Sequence, residues 1–138
     1  MQSPSAILET VIYAADIDAA ERFYRDVFGL EVVRKLPEQF VFFRCGQQML
    51  LIFNADNSIK NDINNPLPRH GTTGSGHFCF AAKDEAEVLA WRDHFTSRGI
   101  AIEHYHRWPN NSVSVYIRDP AGNSVEVGET QIWTDDAP

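Results

Sequence analysis

The chain has 138 residues, 43% of them hydrophobic and 12% aromatic, enough to bury a core in one compact domain and too apolar for a disordered polymer. A formal net charge of -7 leaves no basic stripe for neutralising phosphates, which excludes nucleic acid as a partner and disfavours anionic membrane surfaces. The longest uninterrupted apolar run, Met49 to Phe53, is far short of a span, and the N-terminal Met-Gln-Ser-Pro-Ser-Ala lacks the basic and apolar stretches of a signal, so no membrane partner and a cytoplasmic location are expected.

Residues 7–14 alternate as a strand, with Glu9, Val11 and Tyr13 on one face and Thr10, Ile12 and Ala14 on the other. Asp18-Ala-Ala-Glu21 has the form of a capping box. Ala20, Phe23, Tyr24 and Val27 make one apolar helical face, and Gly29 supplies a left-handed cap. Strands are predicted at 30–35, 39–45 and 48–53, the last two joined by a tight turn at Gly46-Gln47. Residues 7–53 thus form one β-α-β-β-β unit. Residues 54–75 are rich in Asn and Asp among prolines and glycines and have no apolar periodicity, which predicts either a tether or a loop that covers something.

The order then repeats. His77-Phe78-Cys79-Phe80-Ala81-Ala82-Lys83-Asp84 echoes Glu9 to Asp16 at an offset of 68 (77 minus 9). Phe78, Phe80 and Ala82 face a helix whose buried stripe is Val88, Trp91 and Phe95 and which Gly99 closes; His77, Cys79 and Ala81 face the other way, leaving the imidazole with small neighbours. Strands at 100–106, 112–118 and 123–128 complete a unit over 76–128, with Asp119-Pro120-Ala121-Gly122 as the last turn. Residues 129–138 read as a polar tail apart from Ile132 and Trp133. Cys45 and Cys79 lie in strand-like runs without metal-type spacing and are expected to be small buried hydrophobes.

The doubled pattern, with Ala-Glu-Arg-Phe-Tyr-Arg-Asp-Val-Phe-Gly before the first cap, Gly76-His77, and Asp119-Pro120-Ala121-Gly122-Asn123-Ser124-Val125-Glu126, resembles the vicinal oxygen chelate superfamily of glyoxalases, bleomycin-resistance proteins and extradiol dioxygenases. The resemblance implies an α+β fold of two tandem βαβββ units whose curled mixed sheets form a cup, in a protein that dimerises as family members commonly do. It also implies metal ligands at Glu9, His77 and Glu126, with Glu9 standing where the family usually has His. The fourth ligand of glyoxalases falls at Leu50 or Leu51, neither of which binds a metal, so the base that position can supply is missing.

Two carboxylates brought together in a half-buried cup repel, and a divalent ion with a neutral imidazole would balance them. Such a donor set suits Mn²⁺, Fe²⁺, Ni²⁺, Zn²⁺ or Mg²⁺ without choosing among them. Each residue alone has an ordinary reading as well: Glu126 as a solvated strand residue, His77 as a satisfied histidine beneath the linker, Glu9 as an exposed residue near the N-terminus. His104 and His106, with Trp108 nearby, either line the cup and orient substrate or sit on an exposed edge; the parity of Ile100 and Ile102 puts both histidines under the helix unless a bulge intervenes. Tyr13 shares the face of Glu9 and reads as a pocket residue or a structural tyrosine, and His70 as solvated.

Two functions compete. The first is a metal-dependent enzyme that chelates neighbouring oxygens of a small-molecule substrate, with Glu9 and Glu126 as its catalytic carboxylates. The second is a binding protein without chemistry, of the bleomycin-resistance kind, to which the acidity and aromatic content also conform.

Overall fold

A computed structural model describes residues 1–134; the last four residues of the predicted tail lie outside them. The chain divides into Met1–Ser75 and a second unit that begins at Gly76. No helix among the described residues is long and apolar enough to cross a membrane.

In the first unit β1 (Glu9–Tyr13), α1 (Ile17–Phe28), β2 (Glu31–Leu36), β3 (Phe40–Cys45) and β4 (Gln48–Phe53) follow the predicted order. They build one mixed sheet, β1-β4-β3-β2, with only the β1–β4 pair parallel. Ile12, Val41, Phe43, Leu50 and Ile52 are buried on the α1 side, where Tyr24 meets Phe43 at a ring separation of 5.9 Å. The helix starts earlier than the predicted capping box: Asp16 is the N-cap and accepts from Ala19 N at 3.0 Å. Asp18 instead takes the Lys35 ammonium at 2.6 Å. Gly29 closes α1 at φ 69, a left-handed conformation that a side chain would resist.

A bulge between Val32 and Arg34 pairs Arg34 with Phe42 and Lys35 with Val41. The extra residue reverses the alternation. Lys35 therefore reaches α1, and Arg34 moves to the opposite face, with Phe40, Phe42 and Phe53. The stretch predicted as a linker belongs to this unit. It opens with a short helix, α2 (Ala55–Ser58), and then folds back, the Ser58 hydroxyl donating to His70 O at 2.6 Å and His70 N to Ser58 O at 3.2 Å.

The second unit repeats the plan with β5 (His77–Ala82), α3 (Glu85–Ser97), β6 (His104–Arg107), β7 (Val113–Arg118) and β8 (Ser124–Glu129), in the order β5-β8-β7-β6 with β5 and β8 parallel. The α+β class and the doubled βαβββ order expected from the sequence are both present. Val88 and Phe95 of α3 are buried with Val113, Val115, Ile117, Val125 and Val127, while Trp91 is only half-buried. The predicted tail is partly structural. Glu129 is buried as the last residue of β8 and accepts from Val113 N at 2.6 Å. A 3-10 turn at Thr130–Trp133 buries Ile132 and leaves Trp133 82% exposed.

Candidate metal and substrate site

The site of the second unit is assembled from the turn upward. Gly122 N donates to Asp119 O at 3.0 Å, and the Asp119 carboxylate accepts from Ala121 N at 2.9 Å and Asn123 N at 2.8 Å. Asn123, fully enclosed, accepts from Gly76 N at 2.8 Å through its side-chain oxygen. The turn between β7 and β8 thereby fixes the backbone just before His77. Ser124 N extends the hold by donating to Gly76 O at 2.9 Å.

Parallel pairing sets His77 beside Ser124 and Cys79 beside Glu126. Antiparallel pairing sets Tyr116 beside Glu126 and His104 beside Tyr116. One sheet face therefore carries His77, Cys79, Ser124, Glu126, Ser114, Tyr116, His104 and His106, opposite the face that α3 covers. The parity inferred from Ile100 and Ile102 does not hold, because no strand begins until His104. Tyr105 and Arg107 take the helix side, where Arg92 lies over the Tyr105 ring at 5.6 Å and Arg107 pairs with Glu85 at 2.6 Å.

Side-chain bonds then organise that face. The His77 Nδ1 lies 3.0 Å from Ser124 Oγ and 3.2 Å from Ser124 O. In the tautomer whose Nδ1 donates to Ser124 O, Nε2 is the nitrogen open to a metal. Glu126 is 5% exposed, and strand pairing sets it between Tyr116 and Cys79. Burial, and then Glu126, push both the thiol and the phenol well above their ordinary ranges, so each stays protonated and available as a donor. Among the described residues Glu126 has no ion-pair partner.

Ser114 joins this network to the concavity, accepting from Trp108 Nε1 at 3.0 Å. His106 sits edge-on to Trp108 at 4.4 Å, and His104 Nε2 is 3.3 Å from His106 Nδ1. His104, His106, Trp108, Tyr116 and Ser124 line a concavity of about 290 Å³, together with the Glu103–Arg118 ion pair. The predicted substrate residues of this unit thus share one hollow.

Glu9 lies in the first unit, exposed at the start of β1 and paired with Met49. Leu50 and Leu51 are both buried. Tyr13 Oη lies 2.8 Å from His70 Nδ1, so His70, exposed as expected, is also held against the first sheet. Among the described residues no three His, Cys, Asp or Glu side chains gather as a metal-binding group. What the second unit offers on one sheet face is an imidazole, His77, and a carboxylate, Glu126, donor types that fit a divalent ion. The expectation that the cysteines are buried is corrected: Cys45 is half-buried and Cys79 is exposed as a residue on the site face, although its thiol group is itself desolvated, with the sulfur 3.3 Å from Phe80 O. Tyr116, Ser114 and Cys79 are site residues that sequence reasoning left out; the alternation of β7 opposite Ser124 and Glu126 was the signal for the first two.

The family model of the Glyoxalase/Bleomycin resistance protein/Dioxygenase superfamily matches residues 6–127. A crystal structure of lactoylglutathione lyase from Agrobacterium tumefaciens is 65% identical in sequence, with a TM-score of 0.95 over 96% of this chain and 98% of that one. Catechol-2,3-dioxygenase of Bacillus subtilis (strain 168) is 29% identical over 113 residues; these are 80% of this chain, which spans only 36% of that relative's length. A glyoxalase/bleomycin resistance protein/dioxygenase from Nocardioides, 19% identical with a TM-score of 0.72 over 94% of this chain and 85% of that one, shares the fold.

Proposed function

The chain belongs to the glyoxalase/bleomycin resistance protein/dioxygenase superfamily, and from that premise we propose that it is a metal-dependent cytoplasmic enzyme acting on a small molecule through two neighbouring oxygens. The observation that carries this reading is the pair of Glu126, a buried carboxylate without a cation, and His77, an imidazole whose Nδ1 is already engaged. Desolvating a carboxylate is costly unless a positive charge offsets it, and a divalent ion does so. Glu9 of a first unit, in the same chain or in a second copy within a homodimer, would supply the third ligand if it binds the ion.

When bound, the ion supplies Lewis-acid polarisation of substrate oxygens. The protein's own groups do the rest. His104, His106 and Trp108 orient the substrate from one side of the hollow, and Tyr13 lines its pocket from a first unit. Tyr116 and Cys79 hold Glu126 in place. With leucines at the usual position of the glyoxalase base, Glu9 is the carboxylate available to move a proton beside a carbonyl, and it would do so either by moving off the ion or by never binding it. The 65% identity to a protein described as lactoylglutathione lyase favours that proton transfer over ring cleavage. A thioester of the lactoylglutathione kind is the first substrate to assay, and catechol the second.

The test is metal content of the purified protein together with turnover of both substrates across Mn²⁺, Fe²⁺, Ni²⁺, Zn²⁺ and Mg²⁺. Glu126→Ala is expected to abolish tight uptake with the fold intact. A protein that takes up no divalent ion at micromolar exposure overturns the enzyme reading. The alternative, a binding protein without chemistry, is favoured by one observation: no three-residue ligand group forms among the described residues. It predicts tight ligand binding by metal-free protein and no turnover with any ion.

A further inference from the structure

We infer that the space between the folded-back segment 55–71 and the first sheet is a binding site for a small aromatic carboxylate. The inference is argued from the first unit alone, on the sheet face that also carries Tyr13 and Glu9, and to that extent it rests on the proposed function. The space measures about 310 Å³. That is at the lower end of the roughly 300–1,000 Å³ of ligand pockets, and it suits one ring and its substituent rather than a larger molecule.

Its floor is aromatic. Phe40 and Phe42 stack at 4.3 Å, and Phe53 closes on Phe42 at 5.2 Å. Leu67 and Pro68 form the opposing wall, and His70 stands edge-on to Phe53 at 4.6 Å. A planar ring matches these surfaces by stacking and edge contacts.

Charge decides what the ring carries. The lining holds Arg34, Arg69 and His70 and no carboxylate, in a chain whose net charge is -7. The Arg69 guanidinium is fixed by donating to Leu67 O at 2.8 Å and Lys60 O at 3.1 Å. Arg34 is exposed and forms no ion pair among the described residues. It faces the space only because of the bulge; regular alternation would turn it toward α1. A guanidinium aimed beside an aromatic floor is a fork for a carboxylate. The wall is also preformed: the Ser58–His70 pair of bonds, Tyr13 on His70 and Arg69 on Lys60 fasten the segment before any ligand arrives, which reduces the ordering cost of binding.

The experiment is a titration of the full chain, stripped of metal with chelator, followed by ¹H–¹⁵N spectra. Phenylacetate is expected to give saturable shifts at Arg34, Phe42, Asn57 and His70, with phenylacetamide and acetate each binding at least about tenfold more weakly, the scale of one charge-assisted hydrogen bond or of a lost ring contact. Arg34→Gln is expected to weaken phenylacetate by a similar factor while leaving phenylacetamide unchanged. The proposal is overturned if phenylacetamide binds as well as phenylacetate, if Arg34→Gln binds phenylacetate like the parent, or if millimolar phenylacetate produces no saturable shift. The ligand series on the unaltered protein decides the matter without any variant, and the absence of metal keeps the result independent of His77 and Glu126.

Discussion

Tyr116 stands directly across the β7–β8 ladder from Glu126, and its ring lies 6.2 Å from that of His77 with only 22° between planes. One side chain therefore braces both proposed metal ligands of the second unit. Tyr116→Phe keeps the ring and removes the hydroxyl beside Glu126. It is expected to lower divalent-metal affinity about 10–100-fold, the usual cost of losing an outer partner of a ligand, with little change in fold. A competition titration against a fluorescent chelator reads this directly, and an unchanged affinity would detach Tyr116 from the site.

Cys79 reports on the same carboxylate through pH. Desolvation of the thiol group first, and then the nearby Glu126 carboxylate, raise the thiol above its ordinary value of 9.0. The folded protein therefore keeps the proton at pH values where the unfolded chain has lost it. The resulting stability is complete below the unfolded value and declines as pH rises through and beyond it. Alkylation by iodoacetamide is expected to be much slower in the folded protein than in urea at pH 8. Glu126→Gln removes the negative charge and should speed the reaction. Equal rates in parent and variant would show that the thiol does not sense Glu126.

Gly128 is the point where the network admits no side chain. A Cβ there would lie 2.7 Å from Ser114 Oγ and 3.3 Å from the Cys79 sulfur, with the Glu126 carboxylate 3.6 Å away. Gly128→Ala must displace the Ser114 hydroxyl that Trp108 uses, and it is expected to cost about 1–3 kcal/mol in chemical denaturation. Its signature is a change in Trp108 fluorescence alongside the lost stability. A variant as stable as the parent with unaltered emission would mean the strands move apart cheaply.

Much of this was legible in the sequence because strand alternation is local. His77 and Cys79 on one face and Phe78 and Phe80 on the other follow from period two alone, and the Asp119–Asn123 turn follows from its residues. Alternation fails where the strand is interrupted. Extended back from His104 through Ile102, alternation would put both histidines under the helix, but 101–103 are not strand and the two keep the site face. The bulge hid the facing of Arg34 for the same reason. The Asn-rich stretch has no apolar period, yet it has a defined path, because its side chains close local turns: Asn54 on Asp56 N, Asp62 on Asn64 N, Asn65 on Leu67 N. Composition shows that such turns are available, and only the folded chain shows what they enclose.

That enclosure depends on a bond between distant residues. The Tyr13 hydroxyl and His70 Nδ1, 2.8 Å apart and 57 positions apart in sequence, fasten the returning segment to β1. The bond is exposed, so Tyr13→Phe should cost no more than about 0.5–1.5 kcal/mol of global stability. Its local effect should be larger, because only the two Ser58–His70 bonds and the Arg69–Lys60 bond then remain among those that hold the segment closed. Faster hydrogen exchange is expected at the His70 amide, which donates to Ser58 O, while amides of β3 and β4 stay as protected as before. Ser58→Ala should act in the same direction, and the double variant should exceed either alone. If the His70 amide exchanges at the parent rate in the double variant, the backbone turns alone keep the segment in place.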